Sequence, residues 1–278
     1  MSLLVKFGKI FSILAGVLTI SAYACGSAGA LLSPPLLPAF LRGFASLFFV
    51  LCAGYLMNDL CDAEYDRVNR PENVFIGKRL PAGLAGRAVM ALFAAGVVCS
   101  FFVNPWFAAV ILPLSAALAL YNLYSKRLGI FKEAAISLIV VSIYPLALAL
   151  TSGGKSSPRR DSLYIFPLWF FLNIMAYEIM RDILDSPGDR AGGGATLPMR
   201  IGEGRARKAA VLLALAGIPV SLLPYLLGMC GPVYLGGAAA AALLLAAGTA
   251  MRSSGLSAAI FINILLIAFS SFADLYAG

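Results

Sequence analysis

The sequence predicts an all-α integral membrane protein of nine transmembrane helices, in two pseudo-repeated halves around a central cavity. The first observation is composition: 61% of the 278 residues are hydrophobic, only 12% are charged, and mean hydropathy is +0.90. Soluble domains average about 25% charged and about 45–50% apolar residues. The second is that the apolar runs approach the ~20 residues needed to cross a bilayer. The third is an acidic motif that occurs twice.

The nine apolar runs define the predicted helices. These segments must be helical, because lipid offers no partner to an unpaired backbone amide. The third and fourth are separated only by Asn104-Pro105, and no linker divides the chain, so residues 1–278 are expected to form a single domain. The predicted helices span residues 9–32, 36–57, 88–104, 105–124, 133–151, 162–180, 208–228, 232–251 and 256–276.

The basic residues predict the orientation. If the N-terminus is cytoplasmic, 17 of the 21 Lys and Arg residues lie on the cytoplasmic side, and the positive-inside rule favours that topology. The loops at 58–87 and 181–207 then face each other on this side. Much of the net charge of +8 is this topology signal, so it does not indicate nucleic-acid binding. The other side keeps Arg42, Lys155, Arg159 and Arg160.

The acidic motif reads Asp-x-x-Asp-x-x-x-Asp-Arg and begins at Asp59 and again at Asp182, an offset of 123 residues (182 − 59). Duplication of an ancestral half explains the shared register, and convergence on one metal-binding spacing is the alternative. Of the 13 acidic residues, ten lie in these two neighbourhoods: Asp59, Asp62, Glu64, Asp66, Glu72, Glu178, Asp182, Asp185, Asp189 and Glu203.

The spacing of the first copy places its carboxylates together. Positions i, i+3 and i+7 share one helix face, so Asp59, Asp62 and Asp66 are expected to converge. Asn58 lies on nearly the same stripe.

The second copy forms a similar row at Glu178, Asp182 and Asp185. Pro187-Gly188 is expected to end this helix, because proline disrupts a helix interior and glycine opens a turn. Asp189 is therefore expected to reach the site from a loop.

These carboxylates suggest a cation site completed by an anion. The chain contains no histidine, which excludes imidazole-based zinc or iron sites. Hard oxygen ligands point to magnesium, manganese or calcium. Arg67 and Arg190 close the two motif copies, and arginines beside metal-binding aspartates make sense if an anion such as a diphosphate completes the site.

Three segments together carry a family resemblance. They read Asn58-Asp59-x-x-Asp62-x-x-x-Asp66-Arg67-x-Asn69-Arg70-Pro71, then Tyr121-Asn-Leu-Tyr124-Ser125-Lys126-Arg127, then Arg181-Asp182-x-x-Asp185-x-x-Gly188-Asp189-Arg190. This ordered set resembles the UbiA superfamily of intramembrane prenyltransferases. The long stretch before Arg79-Leu80 makes the chain most similar in pattern to members related to geranylgeranylglyceryl-phosphate synthases.

The resemblance implies a magnesium-dependent transferase with two ions, for which manganese is the substitute. The first ion would be held by Asn58, Asp62 and Asp66, with Asp59 supporting, and the second by Asp185 and Asp189, with Asp182 close by. The catalytic set would be Asp62, Asp66, Asp185, Asp189, Lys126 and Tyr121.

The resemblance also implies the substrates. A polyprenyl diphosphate, geranylgeranyl or similar, would be the donor, with its tail between helices and reached from the lipid. A glycerol-phosphate-type acceptor is favoured, and an aromatic or quinone precursor comes next. Tyr121 or Tyr124 would face the allylic cation, although both suit an interfacial tyrosine belt as well. The diphosphate would contact Asn58, Arg67, Arg70, Arg79, Lys126 and Arg190.

Two other classes compete. A CDP-alcohol phosphotransferase also uses repeated aspartates at a membrane face, but it requires Asp-Gly-x-x-Ala-Arg, whereas the residues after Asp62 are Ala63-Glu64-Tyr65. A transporter for a divalent cation or organic anion would suit duplicated halves. Transport sites usually lie near the bilayer midplane, whereas these motifs lie at helix ends.

Overall fold

The fold of this chain, taken from a computed structural model, is helical throughout its regular elements, apart from an isolated bridge between Ile76 and Leu80 in the part described. That part comprises residues 3–34, 36–69, 71, 74–151, 158–191, 193 and 195–277, so Arg70, Glu72 and Lys155 lie outside it. The helices are α1 (Leu3–Cys25), α2 (Ala28–Leu31), α3 (Leu37–Cys61), α4 (Ala63–Asn69), α5 (Ala82–Phe101), α6 (Pro105–Tyr124), α7 (Lys132–Val141), α8 (Ile143–Leu150), α9 (Phe166–Ala191), α10 (Leu197–Ile201), α11 (Glu203–Leu226), α12 (Pro232–Thr249) and α13 (Ser253–Ala277).

The membrane prediction agrees with these helices. Eight stretches in the described part are long and apolar enough to cross a membrane, and α1 adds a shorter apolar segment, Ile10–Cys25. The chain is therefore an integral, multi-pass membrane protein, in agreement with nine predicted spans. The predicted span at 133–151 consists of α7 and α8, which break at Ser142. Pro145 explains the break, because it has no N–H to bond the carbonyl of Val141.

The two halves pack in a similar way. The motif helix of each half lies along the next long helix, α3 against α5 and α9 against α11. The acidic ends of the two motif helices also meet, because α4 packs against α9. This contact brings the motif copies together at one end of the bundle.

The first motif copy bends at Asp62 without losing its hydrogen-bond ladder. Asp62 caps α3 with φ −96° and ψ 6°, and α4 resumes at Ala63. The N–H of Asp62 donates to the carbonyl of Asn58 at 2.8 Å, and the N–H of Asp66 donates to the carbonyl of Asp62 at 2.9 Å. Asp59, Asp62 and Asp66 can therefore still share one helix face, as predicted, despite the bend.

The second motif copy contradicts the predicted helix end at Pro187-Gly188. Helix α9 continues through Pro187 to Ala191. Pro187 cannot donate to the carbonyl of Ile183, but the hydroxyl of Ser186 donates to that carbonyl at 2.9 Å. The prediction that Asp189 approaches from a loop was therefore wrong, because Asp189 lies on the last turns of α9 and is fully buried.

At the opposite end of the bundle, Asp274 of α13 joins three elements. Its carboxylate accepts the N–H of Gly231 at 2.8 Å and of Tyr234 at 3.2 Å, at the start of α12. The Arg159 guanidinium, in the 3₁₀ turn before α9, lies 3.3 Å from the same carboxylate. An acidic group at a helix N-terminus is stabilising, and here it is almost fully buried. This end is therefore held by charge-assisted bonds. We call the residues that form them, Asp274, Arg159, Gly231 and Tyr234, the Asp274 cluster.

Candidate active site

A cavity of about 300 Å³ opens where the two motif copies meet. It lies among α3, α4, α6, α7 and α9, and we call it the carboxylate cavity. Both motif copies reach it, as the sequence predicted. Its polar and charged lining residues are Tyr55, Asn58, Asp59, Asp62, Tyr65, Asp66, Tyr121, Asn122, Ser125, Lys126, Lys132, Ser142, Tyr177, Glu178, Arg181, Asp182 and Asp185.

Lys126 connects the two motif copies. Its Nζ lies 2.7 Å from Oδ1 of Asp189 and 3.9 Å from Oδ1 of Asp62. It also lies 4.6 Å from the ring centroid of Tyr65, a cation–π contact. One ammonium group is thus shared by carboxylates from the two halves.

Lys132 forms a second lysine–carboxylate pair, which the sequence analysis did not find. Its Nζ donates to Asp182, and both side chains are almost fully buried. The adjacent Glu133 is fully buried and interacts with Asp182. The sequence signal was a charged pair, Lys132-Glu133, at the start of an otherwise apolar run.

Asp62 is held at the edge of the cavity by a neighbouring amide. Nδ2 of Asn58 donates to Oδ2 of Asp62 at 2.9 Å. Burial raises the pKa of Asp62 above its usual value, although the nearby Lys126 lowers it, and Asp66 raises it further. Burial thus makes the charged form of Asp62 less favourable than in water, and additional positive charge would favour the carboxylate.

Other predicted site residues lie away from the cavity lining. Arg67 and Arg79 are exposed, and Tyr124 is 48% exposed. Nη2 of Arg190 lies 3.1 Å from Oε1 of Glu203 at the surface. Asp189 is fully buried, does not line the cavity, and contacts Lys126, which does. The predicted diphosphate contact Arg70 lies outside the described residues.

The remaining second-copy carboxylates do line the cavity. Asp185 lies there with Nη2 of Arg181 3.5 Å from its Oδ2. Tyr121 lines the same cavity, as predicted for an aromatic face near the reacting carbon.

The residues fit magnesium only together with an anion. In the described part of the chain, no group of three carboxylates or thiols is placed to hold an ion without other ligands. Oδ2 of Asp189 is nevertheless buried without a hydrogen-bond partner. Magnesium usually takes one or two carboxylates plus substrate phosphates, and a phosphate would also attract the ammonium groups of Lys126 and Lys132.

The turn that carries Lys126 is supported by the segment after α9. The N–H of Ala195 donates to the carbonyl of Lys126 at 3.3 Å. Two residues beyond the 3₁₀ turn Ser125–Arg127, Gly129 has φ +58°, and a Cβ there would lie 2.9 Å from Cζ of Arg200. Only glycine fits this contact without strain.

Replacing Gly129 with alanine is therefore expected to destabilise the protein and misplace Lys126. The left-handed backbone costs an L-residue about 1–2 kcal/mol, and Arg200 must move. We expect a lower melting temperature in detergent. We also expect roughly tenfold slower catalysis, since a loss of about 1.4 kcal/mol in transition-state stabilisation lowers the rate by about a factor of ten.

The matched control is Gly86→Ala on α5, where no atom lies within 4 Å of an added Cβ. Alanine stabilises a helix interior by roughly 0.5–1 kcal/mol relative to glycine, so this variant should melt no lower than the wild type. Equal melting temperatures and activities for the Gly129 variant and the wild type would contradict the assigned role of this turn.

The sequence is similar to those of known proteins. Residues 13–272 match the model of the UbiA prenyltransferase family. A digeranylgeranylglyceryl phosphate synthase from Methanopyrus kandleri is 35% identical over 208 residues, which cover 74% of this chain and 74% of the relative. A synthase of the same name from Methanoregula boonei is 31% identical over 241 residues, covering 84% and 80% of the two chains.

Structural comparison gives the same fold. A solved structure described as giving insight into digeranylgeranylglyceryl phosphate synthase in membranes has a TM-score of 0.75 and 22% identity, covering 98% of this chain and 95% of that one. A UbiA homologue from Archaeoglobus fulgidus, bound to DMAPP and Mg²⁺, has a TM-score of 0.66 and 15% identity, covering 98% and 100%. At these identities the likeness establishes the fold.

Proposed function

The chain belongs to the UbiA prenyltransferase family, and from this premise we propose that it transfers a polyprenyl group from a polyprenyl diphosphate to a glycerol-phosphate-type lipid acceptor, with release of diphosphate. The resemblance drawn from the sequence motifs is thereby confirmed. The choice of acceptor is supported by relatives named digeranylgeranylglyceryl phosphate synthase. An aromatic or quinone-precursor acceptor is the second candidate.

One observation carries the proposal: acidic groups from both halves converge on Lys126, between Asp62 and Asp189. A bare cation site would exclude an ammonium group, because like charges repel. A diphosphate held partly by cations and partly by Lys126 accounts for both kinds of side chain. A CDP-alcohol transferase or a transporter has no comparable support.

The donor's head group would be held by the predicted metal ligands. Asn58, Asp62 and Asp66, with Asp59, would bind one magnesium ion, and Asp182, Asp185 and Asp189 a second. When bound, magnesium supplies positive charge that stabilises the departing diphosphate. The oxygen-only ligands and the buried, partnerless Oδ2 of Asp189 support this assignment. Manganese is the expected substitute.

The chain's own residues would bind and shield the reacting groups. Lys126 would contact the diphosphate as the bond from its oxygen to the allylic carbon breaks and the electron pair leaves with oxygen. Tyr121 would place its ring near the resulting cation. The acceptor oxygen then bonds to that carbon, and its proton passes to a carboxylate, to water or to diphosphate. Arg67, Arg79 and Arg190 would attract the anion at the surface, and Arg70 stays a prediction of the same kind.

The orientation is part of the proposal. Residues 1–278 would act as one domain, since the matched segment 13–272 spans nearly all of it. The N-terminus and the carboxylate cavity would face the cytoplasm, as the positive-inside rule favours. A diphosphate donor would then reach the cavity from that side.

The direct test uses purified full-length protein in detergent with radiolabelled geranylgeranyl diphosphate and a panel of acceptors. We expect a prenylated product, identified by mass, with geranylgeranylglyceryl phosphate preferred over aromatic acceptors. A product formed only with an aromatic acceptor would overturn the acceptor assignment. No product with any acceptor would overturn prenyl transfer itself.

Removing divalent ions is expected to abolish this activity. EDTA should reduce turnover to background, because without metal ions the carboxylates repel the diphosphate and the lysines alone neutralise too little of its charge. Excess magnesium should restore it, and manganese should restore part of it. The control repeats the titration with Ca²⁺ added in place of magnesium. Full turnover in EDTA would contradict metal dependence.

A further inference from the structure

The aspartates of the second motif copy are already engaged by cations of the protein. Nζ of Lys132 donates to Oδ1 of Asp182, and Nζ of Lys126 lies 2.7 Å from Oδ1 of Asp189. The third aspartate, Asp185, has a guanidinium group 3.5 Å from its Oδ2. A metal ion that enters here therefore meets positive groups, which repel it.

The ammonium group of Lys132 lies where a metal ion is expected. Besides its bond to Asp182, it interacts electrostatically with Glu178 and Asp189, which lie on other turns of α9. Lys132 and Asp182 both line the carboxylate cavity, and both are almost fully buried. While this ammonium stays in place, Oδ1 of Asp182 is not available to an ion.

Both lysines belong to the short connection between α6 and α7. Lys126 lies in the 3₁₀ turn Ser125–Arg127, and Lys132 is the first residue of α7. A lysine carries its charge on a flexible four-carbon stem, so the ammonium group can change partners while the backbone stays in place. Phosphate oxygens are strong acceptors for such a group. A diphosphate in the carboxylate cavity would therefore compete with the aspartates for both lysines.

From these contacts we infer that Lys126 and Lys132 close the second metal site in the free protein, and that the donor's diphosphate opens it. The diphosphate oxygens take the two ammonium groups, and Oδ1 of Asp182 and Oδ1 of Asp189 then become available to the ion. This inference rests on the proposed function and adds an order of binding: the second ion binds together with the diphosphate and not before it. Lys132 thereby acts as a positioning residue for Asp182.

The test measures Mn²⁺ binding to purified full-length protein in detergent, with and without inorganic diphosphate, from the loss of the free-ion EPR signal. Protein-free samples correct for Mn²⁺ held by diphosphate alone. The wild type should bind fewer ions without diphosphate than with it. Lys132→Met removes the ammonium group and keeps the length of the side chain. Without diphosphate this variant should bind the missing ion roughly tenfold or more tightly than the wild type does, a factor usual for coupled sites.

Thermal melting gives a second readout. Lys132→Met leaves the buried Asp182 without its ammonium partner, so without metal this variant should melt below the wild type. Mn²⁺ alone should then raise its melting temperature more than that of the wild type, because a ligand that binds only the folded state stabilises that state. Lys132→Arg keeps a cation beside Asp182 and should still require diphosphate for the second ion. Lys132→Gln, whose neutral amide can donate to Asp182, should gain the ion and serves if the methionine variant does not fold.

The matched control is Lys208→Met, which removes an exposed ammonium group on α11 and should change neither readout. Adding Asp182→Asn to Lys132→Met should abolish binding of the additional ion. Equal Mn²⁺ binding by the wild type and by the folded Lys132 variants without diphosphate overturns the inference, and so does wild-type binding that diphosphate does not increase. Both results are compatible with prenyl transfer by the wild type. Absence of transfer with every acceptor would instead overturn the proposed function.

Discussion

Asp62→Ala is expected to lower prenyl transfer by at least about 10³-fold, equivalent to roughly 4 kcal/mol of transition-state stabilisation. The substitution removes a carboxylate that Asn58 and Lys126 hold at the cavity. The protein should still fold and insert, because burial already disfavours the charged form of this side chain. Initial rates with labelled donor measure the loss of activity. Gel filtration and thermal melting in detergent measure whether the variant folds. Asp185→Ala should behave in the same way.

Asp161→Ala is the matched control for the acidic variants. Asp161 is an exposed acid in the 3₁₀ turn before α9, at the other end of the bundle. Its replacement should leave the rate within about twofold of the wild type, as is usual for exposed positions. Normal turnover by Asp62→Ala or Asp185→Ala would remove the metal assignment for that residue.

Lys126→Met is expected to impair catalysis and stability together. The variant loses the ammonium proposed to contact the diphosphate, so the rate should fall by about 10²–10³-fold. It also leaves the fully buried Asp189 without its 2.7 Å partner. Breaking a buried ion pair by removing one partner costs about 3–5 kcal/mol, so the melting temperature should drop markedly.

A double variant separates the two effects of Lys126. Adding Asp189→Asn to Lys126→Met removes the unpaired buried charge and should recover most of the lost stability, with no recovery of rate. Lys126→Arg keeps the positive charge and should fold like the wild type with partial activity, since the guanidinium has a different shape. Recovery of rate in the double variant would show that Lys126 acts only as a structural partner of Asp189.

Much of the fold follows from simple sequence features. The length and apolarity of the spans predict nine membrane helices, since lipid admits little else. The end of α9 could not be predicted in this way, because Ser186 replaces the hydrogen bond that Pro187 cannot make. At this position a neighbouring side chain satisfies the carbonyl that the proline leaves free, so the helix continues.

The candidate site was predictable in its acidic half. The spacing of the aspartates places them on shared faces, and these faces meet in the structure. The pairing of Lys126 with Asp189 joins residues 63 positions apart, and only tertiary packing brings them together. Lys132 is one of the 17 basic residues predicted to be cytoplasmic, and its contact with Asp182, 50 positions away, cannot be read from a linear pattern. Arg67 and Arg190 close the motif copies and Arg79 follows the first, but all three side chains are exposed.

The Asp274 cluster has a mechanical consequence. One end of the bundle is closed by bonds among groups of the protein itself, linking α12, α13 and the turn before α9. The charged end depends on lysine–carboxylate pairs that an incoming anion would compete for. We therefore expect the end held by the Asp274 cluster to stay packed during turnover, and any rearrangement to be confined to the charged end.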